Sequence, residues 1–201
     1  MTAEGRTPEE GPRVSRRRAH ATAARGAVMT PAGSRALALL RLALGFVFLW
    51  AFADKAFGWG YATPSERAWF KGGSPTKGYL DRVEVGPLES TFHDWAGAAW
   101  ADWLFMIGLI AVGVAFVVGV ALLPAAVAGA AMLVLMWMAE WPPARHTSAG
   151  APSMSTNPVV DYHAVYALAL IALALTCSGD TWGLGRAWAR LPFVRGRRWL
   201  R

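Results

Sequence analysis

The sequence predicts an all-α membrane protein, a four-helix bundle with a long extracytoplasmic loop that carries short helices. Three observations predict it. Of the 201 residues, 55% are hydrophobic and only 16% are charged, where a soluble domain carries nearer a quarter charged residues. From Trp103 to Ala139 run 37 residues without Asp, Glu, Lys or Arg. A helix crosses the hydrocarbon in about 20 residues, so that run holds two spans. The net charge of +7 sits in two Arg clusters flanking the apolar part, the pattern of membrane orientation rather than of nucleic-acid binding. A soluble helical core is the alternative, and it rarely holds so long an uncharged run.

Residues 1–34 read as a disordered, basic cytoplasmic tail in which Gly, Pro, Glu and Arg dominate and no apolar period appears. Arg16-Arg17-Arg18 within it suit anionic lipid headgroups. Residues 35–185 read as the transmembrane domain. Its first span covers about 36–57 and holds Arg41 roughly one turn inside, from where the side chain is expected to snorkel toward the headgroups. A secretory signal is the other reading of this segment, with Ala51-Phe52-Ala53 as a small-x-small cleavage pattern.

Residues 58–101 form a polar connection punctuated by Gly58-Trp59-Gly60, Gly72-Gly73-Ser74-Pro75 and Gly86-Pro87. Trp59, Trp69, Trp95 and Trp100 argue against disorder there, and short helices are expected near 76–85 and 88–100. The second and third spans are expected at about 102–123 and 124–141, broken at Pro124. A Ser/Pro/Gly-rich loop follows to Asp161, then a fourth span over about 162–178 and a basic cytoplasmic tail from 186 to 201.

Orientation follows from the arginines. Eight lie up to Arg41 and six from Arg186 onward, whereas the 58–101 loop balances four Lys or Arg against five acids. Four spans put both termini on one side, and the positive-inside rule makes that side cytoplasmic. The 17 Arg to 3 Lys bias points to a GC-rich bacterial genome and hence to a bacterial cell membrane. Cys177 stands alone, so neither an intrachain disulfide nor a CxxC redox pair is available.

On this topology the ionisable residues gather at one interface. Asp54 and Lys55 end the first span, Asp102 starts the second, Glu140 ends the third, and Asp161 and His163 start the fourth. Charges near hydrocarbon are costly and tend to pair or to line a functional cavity. His163, Glu140, Asp161, Asp102 and Asp54 therefore read as groups for proton chemistry. Lys55, Trp59, Trp103, Trp137 and Tyr166 read as groups that hold a ligand. Tryptophan and tyrosine belts, and charges at span ends, are also ordinary features of membrane proteins. Asp161 and His163 splay about 200° around a helix. His163 is therefore the expected inward residue with Tyr166 at i+3, and Asp161 the N-cap or a loop partner.

A set of ordered motifs also resembles a known family. Arg41-Leu42-Ala43-Leu44-Gly45, Phe52-Ala53-Asp54-Lys55-Ala56-Phe57-Gly58, Gly72-Gly73-Ser74-Pro75-Thr76, Asp102-Trp103-Leu104-Phe105-Met106, Met136-Trp137, Asn157-Pro158, Asp161-Tyr162-His163 and Trp182-Gly183-Leu184-Gly185 are similar to segments of the DoxX/DoxD-like bacterial membrane proteins. That family includes the small membrane subunit of thiosulfate:quinone oxidoreductase. The resemblance implies a four-helix membrane bundle and, if the activity carries over, electron transfer from thiosulfate to a membrane quinone. His163, Asp161 and Glu140 suit hydrogen bonding and proton relay to a quinone headgroup. Lys55, Lys71, Lys77 and Arg82, with the Gly72-Gly73 turn, suit an anionic donor. The sequence offers no metal, haem or flavin motif, so a partner redox subunit or direct transfer is implied. A non-enzymatic membrane anchor or assembly subunit, or a homo-oligomer of such subunits, remains the other reading.

Overall fold

The computed structural model describes residues 29–200, and among them the regular elements are helices, apart from one isolated bridge between His146 and Pro152. Most of the basic N-terminal tail lies outside the described residues. Helix α1 (Pro31–Phe57) leads into a loop with two short helices, α2 (Lys77–Leu80) and α3 (Glu89–Trp95). Then come α4 (Ala99–Val118), α5 (Leu122–Glu140), α6 (Tyr162–Leu175) and a short α7 (Gly185–Trp188).

Local chemistry sets the ends of these helices. Thr30 accepts the Gly33 N–H at 3.0 Å and Pro31 fills the first helical position, so α1 starts five residues before the apolar run at 36. It stops at Gly58, whose φ of 68° lets its N–H return to the Asp54 carbonyl. The break between α4 and α5 falls at residues 119–121, not at Pro124. Gly119 takes φ 81° and Ala121 takes φ 50°, while Pro124 sits in the first turn of α5. There a missing N–H costs nothing, because that turn has no intrahelical acceptor to lose.

Helices α1, α4 and α5, of 27, 20 and 19 residues, are each long and apolar enough to cross a membrane, so the chain is built as a helical membrane protein. Helix α6 is shorter than the expected fourth span. Its 14 residues rise about 21 Å, against about 30 Å of hydrocarbon. It ends because Thr176 turns its hydroxyl back onto the Ala172 carbonyl at 2.8 Å and Cys177 takes a left-handed φ of 51°. A 3-10 turn at Ser178–Asp180 continues the chain.

Helix α1 packs along α4 and α5 along α6, while α4 and α5 touch more thinly. The shared core is built from Leu44, Phe48, Met106, Val112, Phe116, Leu170 and Leu173. Small residues permit the close approaches that dominate packing in lipid. A Cβ at Gly113 would lie 2.7 Å from Leu49, and one at Gly129 would lie 2.7 Å from Leu170. Leu39, Phe46, Leu104, Ile107, Val127 and Leu168 face outward, as lipid-facing side chains do.

Arg41 does not snorkel. Its side chain is fully buried, and its guanidinium gives hydrogen bonds to four main-chain carbonyls. Nη1 donates to Phe116 and, at 2.9 Å, to Val117; Nη2 donates to Thr181 at 3.3 Å and Trp182 at 2.9 Å. The first two are carbonyls of the last turn of α4, which lack intrahelical donors and carry the negative end of the helix dipole. Arginine thus caps α4 and ties the 178–183 turn to it, which outweighs reaching for the headgroups.

Candidate functional site

Five of the six ionisable residues of the loop end divide into two groups. Asp54 and Asp102 hold the first loop onto the bundle. Asp54 is buried and accepts the Tyr61 and Ala62 N–H groups at 3.2 and 3.0 Å. Asp102 is also buried, and its Oδ1 accepts the Ser74 hydroxyl at 2.9 Å, the Thr76 N–H at 3.0 Å and the Thr76 hydroxyl at 2.6 Å. A carboxylate that meets main-chain N–H groups in low dielectric is well compensated, so both are occupied with architecture.

Glu140, Asp161 and His163 come together. Asp161 is the N-cap of α6, with Oδ1 accepting the Ala164 N–H at 3.0 Å. Its Oδ2 lies 2.7 Å from His163 Nδ1. Glu140, at the last position of α5, brings Oε2 to 3.8 Å from the same nitrogen. The imidazole is only 1% exposed, and its Nε2 has no hydrogen-bond partner among the described residues. Nδ1 faces the carboxylates, and Tyr162 lies against the ring with centroids 3.9 Å apart.

Two tyrosines complete the cluster. Tyr162 donates its hydroxyl to Glu140 Oε1 at 2.9 Å. Tyr79, carried by α2, places its hydroxyl 3.3 Å from both Glu140 Oε1 and the Met136 carbonyl. Burial, and then the adjacent Glu140 carboxylate, push the Tyr79 phenol well above its ordinary range, so it stays protonated and acts as a donor.

These groups stand at the polar end of an open groove of about 1210 Å³. Tyr79, Glu140, Asp161 and Tyr162 line that end, and Lys55 lies on the α1 side. The groove runs down between α4 and α5 along Leu104, Phe105, Leu109, Met132 and Leu135, roofed by loop residues such as Leu80, Val83 and Phe92. His163 is not among its walls; it stands behind Asp161 and Glu140.

The aromatic residues expected to hold a ligand lie elsewhere. Trp59 is exposed and packs between Trp50 and Phe57. Trp103 meets Trp69 edge-on. Trp137 donates its indole N–H to the Val159 carbonyl at 3.0 Å and so ties the second loop to α5. Tyr166 packs against the core, with Tyr162 6.1 Å away. The rings that do line the groove are Tyr79, Phe92, Trp95, Trp100, Phe105 and Tyr162. Sequence reasoning missed Tyr79 altogether, because its meeting with Glu140 spans 61 residues and depends on how the loop folds back. Tyr162 carried a local signal, standing between Asp161 and His163. Compared with known proteins, the chain matches no family model, no curated protein and no solved structure.

Proposed function

We propose that the chain is a DoxX-like subunit of a bacterial cell membrane, with both termini cytoplasmic and the groove at the extracytoplasmic face receiving a quinone-type headgroup. The observation that carries the reading is the groove's polarity. One end offers a phenol donor from Tyr79, a phenol from Tyr162 and the carboxylates of Glu140 and Asp161. The rest is apolar and lies between two lipid-crossing helices. A quinone needs this pairing: donors for its carbonyls, a proton source, and an apolar course for its ring and tail. His163 hydrogen-bonds Asp161 from behind and serves as the proton reserve. The ordered motifs that resemble the DoxX/DoxD-like proteins favour the same class, with thiosulfate or a partner redox subunit as the electron source. Lys55, Arg67 and Arg82 on the groove's walls suit an anionic donor.

Quinone content tests this directly. Protein purified in mild detergent and extracted with organic solvent should release quinone in proportion to protein. Glu140→Gln and Tyr79→Phe should each lower that amount without lowering the yield of folded protein. Wild-type protein that takes up no quinone even when it is supplied in excess would overturn the reading.

The reading as an anchor or assembly subunit has its own observation. Asp54 and Asp102 hold the first loop firmly, and that loop exposes Trp59, Tyr61 and Phe70. If it docks another subunit, Tyr61→Ala combined with Phe70→Ala should release a co-purifying protein while leaving quinone content unchanged.

A further inference from the structure

Glu140, Asp161 and His163 form a donor set for a cation. One imidazole nitrogen and two carboxylate oxygens, from the end of α5 and the start of α6, all lie within 4.8 Å of one another. A borderline divalent ion takes His nitrogen and carboxylate oxygen at about 2.0–2.2 Å, which spaces tetrahedral donors by roughly 3.3 Å. The two Nδ1 distances, 2.7 Å to Asp161 and 3.8 Å to Glu140, bracket that spacing. A metal would open the shorter contact and close the longer one.

Charge balance points the same way. Among the described residues, the ion-pair contacts of Glu140 and Asp161 are both with His163, and neither carboxylate meets a Lys or Arg. One imidazole proton cannot satisfy both. Both tyrosine hydroxyls go to Glu140 Oε1, and 3.8 Å is too long for Oε2 to accept a hydrogen bond from Nδ1. Oε2 is thus turned toward His163 with acceptor capacity to spare. The donors are also held in place: Asp161 by its cap on Ala164, Glu140 by Tyr162 and Tyr79, and the buried ring by Tyr162. Outer partners of this kind orient the ligands of metal sites.

We infer that Glu140 Oε2, Asp161 Oδ2 and His163 Nδ1 bind one divalent first-row transition-metal ion. Its remaining position faces the groove, where water or a ligand oxygen completes the shell. Three protein ligands with one open position is the arrangement of a reactive rather than a purely structural ion. The inference shares its residues with the proposed quinone site but not its premise, and it is read on quinone-free protein.

The test is a Co²⁺ titration of tag-free, chelator-treated full-length protein in detergent, followed by its visible d–d absorption and by competition with Zn²⁺. Wild-type protein should show saturable binding of a single ion. Glu140→Gln should weaken it by at least about tenfold, the lower end of the cost of losing even an outer-shell partner. His146→Gln, in an exposed loop, should leave it unchanged. Should His163→Ala fail to fold, Glu140→Gln carries the test, because its carboxylate is 37% exposed and caps no helix. No saturable binding by the wild type, or equal affinity in Glu140→Gln, overturns the inference. Metal binding without quinone uptake would defeat the quinone reading alone, and quinone uptake without metal binding would defeat this one alone.

Discussion

The two ends of the bundle treat buried charge in opposite ways. At one end Arg41 distributes its two terminal nitrogens over four carbonyls and joins α4 to the 178–183 turn. The open depression beside that turn is about 20 Å³, room for about one water. At the other end Glu140, Asp161 and His163 cluster within 4.8 Å beside a groove of about 1210 Å³, with one hydrogen bond, from His163 to Asp161, among them. Among the described residues, each end leaves one buried nitrogen without a hydrogen-bond partner, Arg41 Nε and His163 Nε2. The difference lies in access. A buried charge wrapped by main chain and sealed is a structural device, and a buried charge facing a groove is available to a ligand.

The largest stability effect should come from the sealed end. Arg41→Leu leaves the carbonyls of Phe116, Val117, Thr181 and Trp182 without their donor. A loss of about 3–5 kcal/mol is expected, since hydrogen bonds to a charged group contribute about 1.5–3 kcal/mol each and do not add fully. Denaturant or thermal unfolding in detergent measures it. A loss below about 1 kcal/mol would return Arg41 to the headgroups. Arg41→Lys should recover only part, because a single ammonium cannot imitate the fork.

Gly179→Ala should cost about 1–3 kcal/mol by overpacking. Its Cβ would sit 2.3 Å from the Gly119 carbonyl oxygen, in the same turn that Arg41 joins to α4. If it is neutral, the turn is looser than its packing implies. Asp102→Ala should act locally. It leaves the Thr76 N–H and hydroxyl and the Ser74 hydroxyl without their acceptor, a cost of about 1–3 kcal/mol per stranded group. Hydrogen exchange should rise at residues 74–77 while α4 and α5 keep their protection. Equal loosening throughout would show that the loop and bundle are one cooperative unit. Smallest of all is Glu140→Gln, expected within about 0.5 kcal/mol because the side chain is partly exposed and caps nothing.

Much of the fold was legible because apolar length and charge depletion are local properties. The segments holding α1, α4, α5 and α6 were all located, with errors at their ends. Pro124 reads as the break between spans, yet a proline is at home in a first turn, and the chain instead reverses at Gly119 and Ala121. The early end of α6 depends on Thr176 bonding backward, which a hydropathy window averages away. At the site, Asp161 as the N-cap of α6 was readable in order, but its hydrogen bond to His163 was not, because two residues that far apart on a helix are expected to splay. Arg41 was not readable, since its acceptors lie 75 and 140 residues away and a carbonyl carries no residue-type signal. For the same reason the carboxylates of Asp54 and Asp102 looked like site residues. Their partners are N–H and hydroxyl groups of a loop whose course the sequence does not specify.

The contrast between a sealed end and a receptive one is tested most directly by thermal unfolding of wild-type, Glu140→Gln and Arg41→Leu proteins in lipid nanodiscs, with and without a short-chain quinone. The account predicts that wild type and Glu140→Gln unfold together without ligand, and that quinone raises the wild-type Tm but not that of Glu140→Gln. Arg41→Leu should start lower and still respond to quinone. A Glu140→Gln protein that is as unstable as Arg41→Leu without ligand, or a wild-type Tm that quinone does not move, would contradict it.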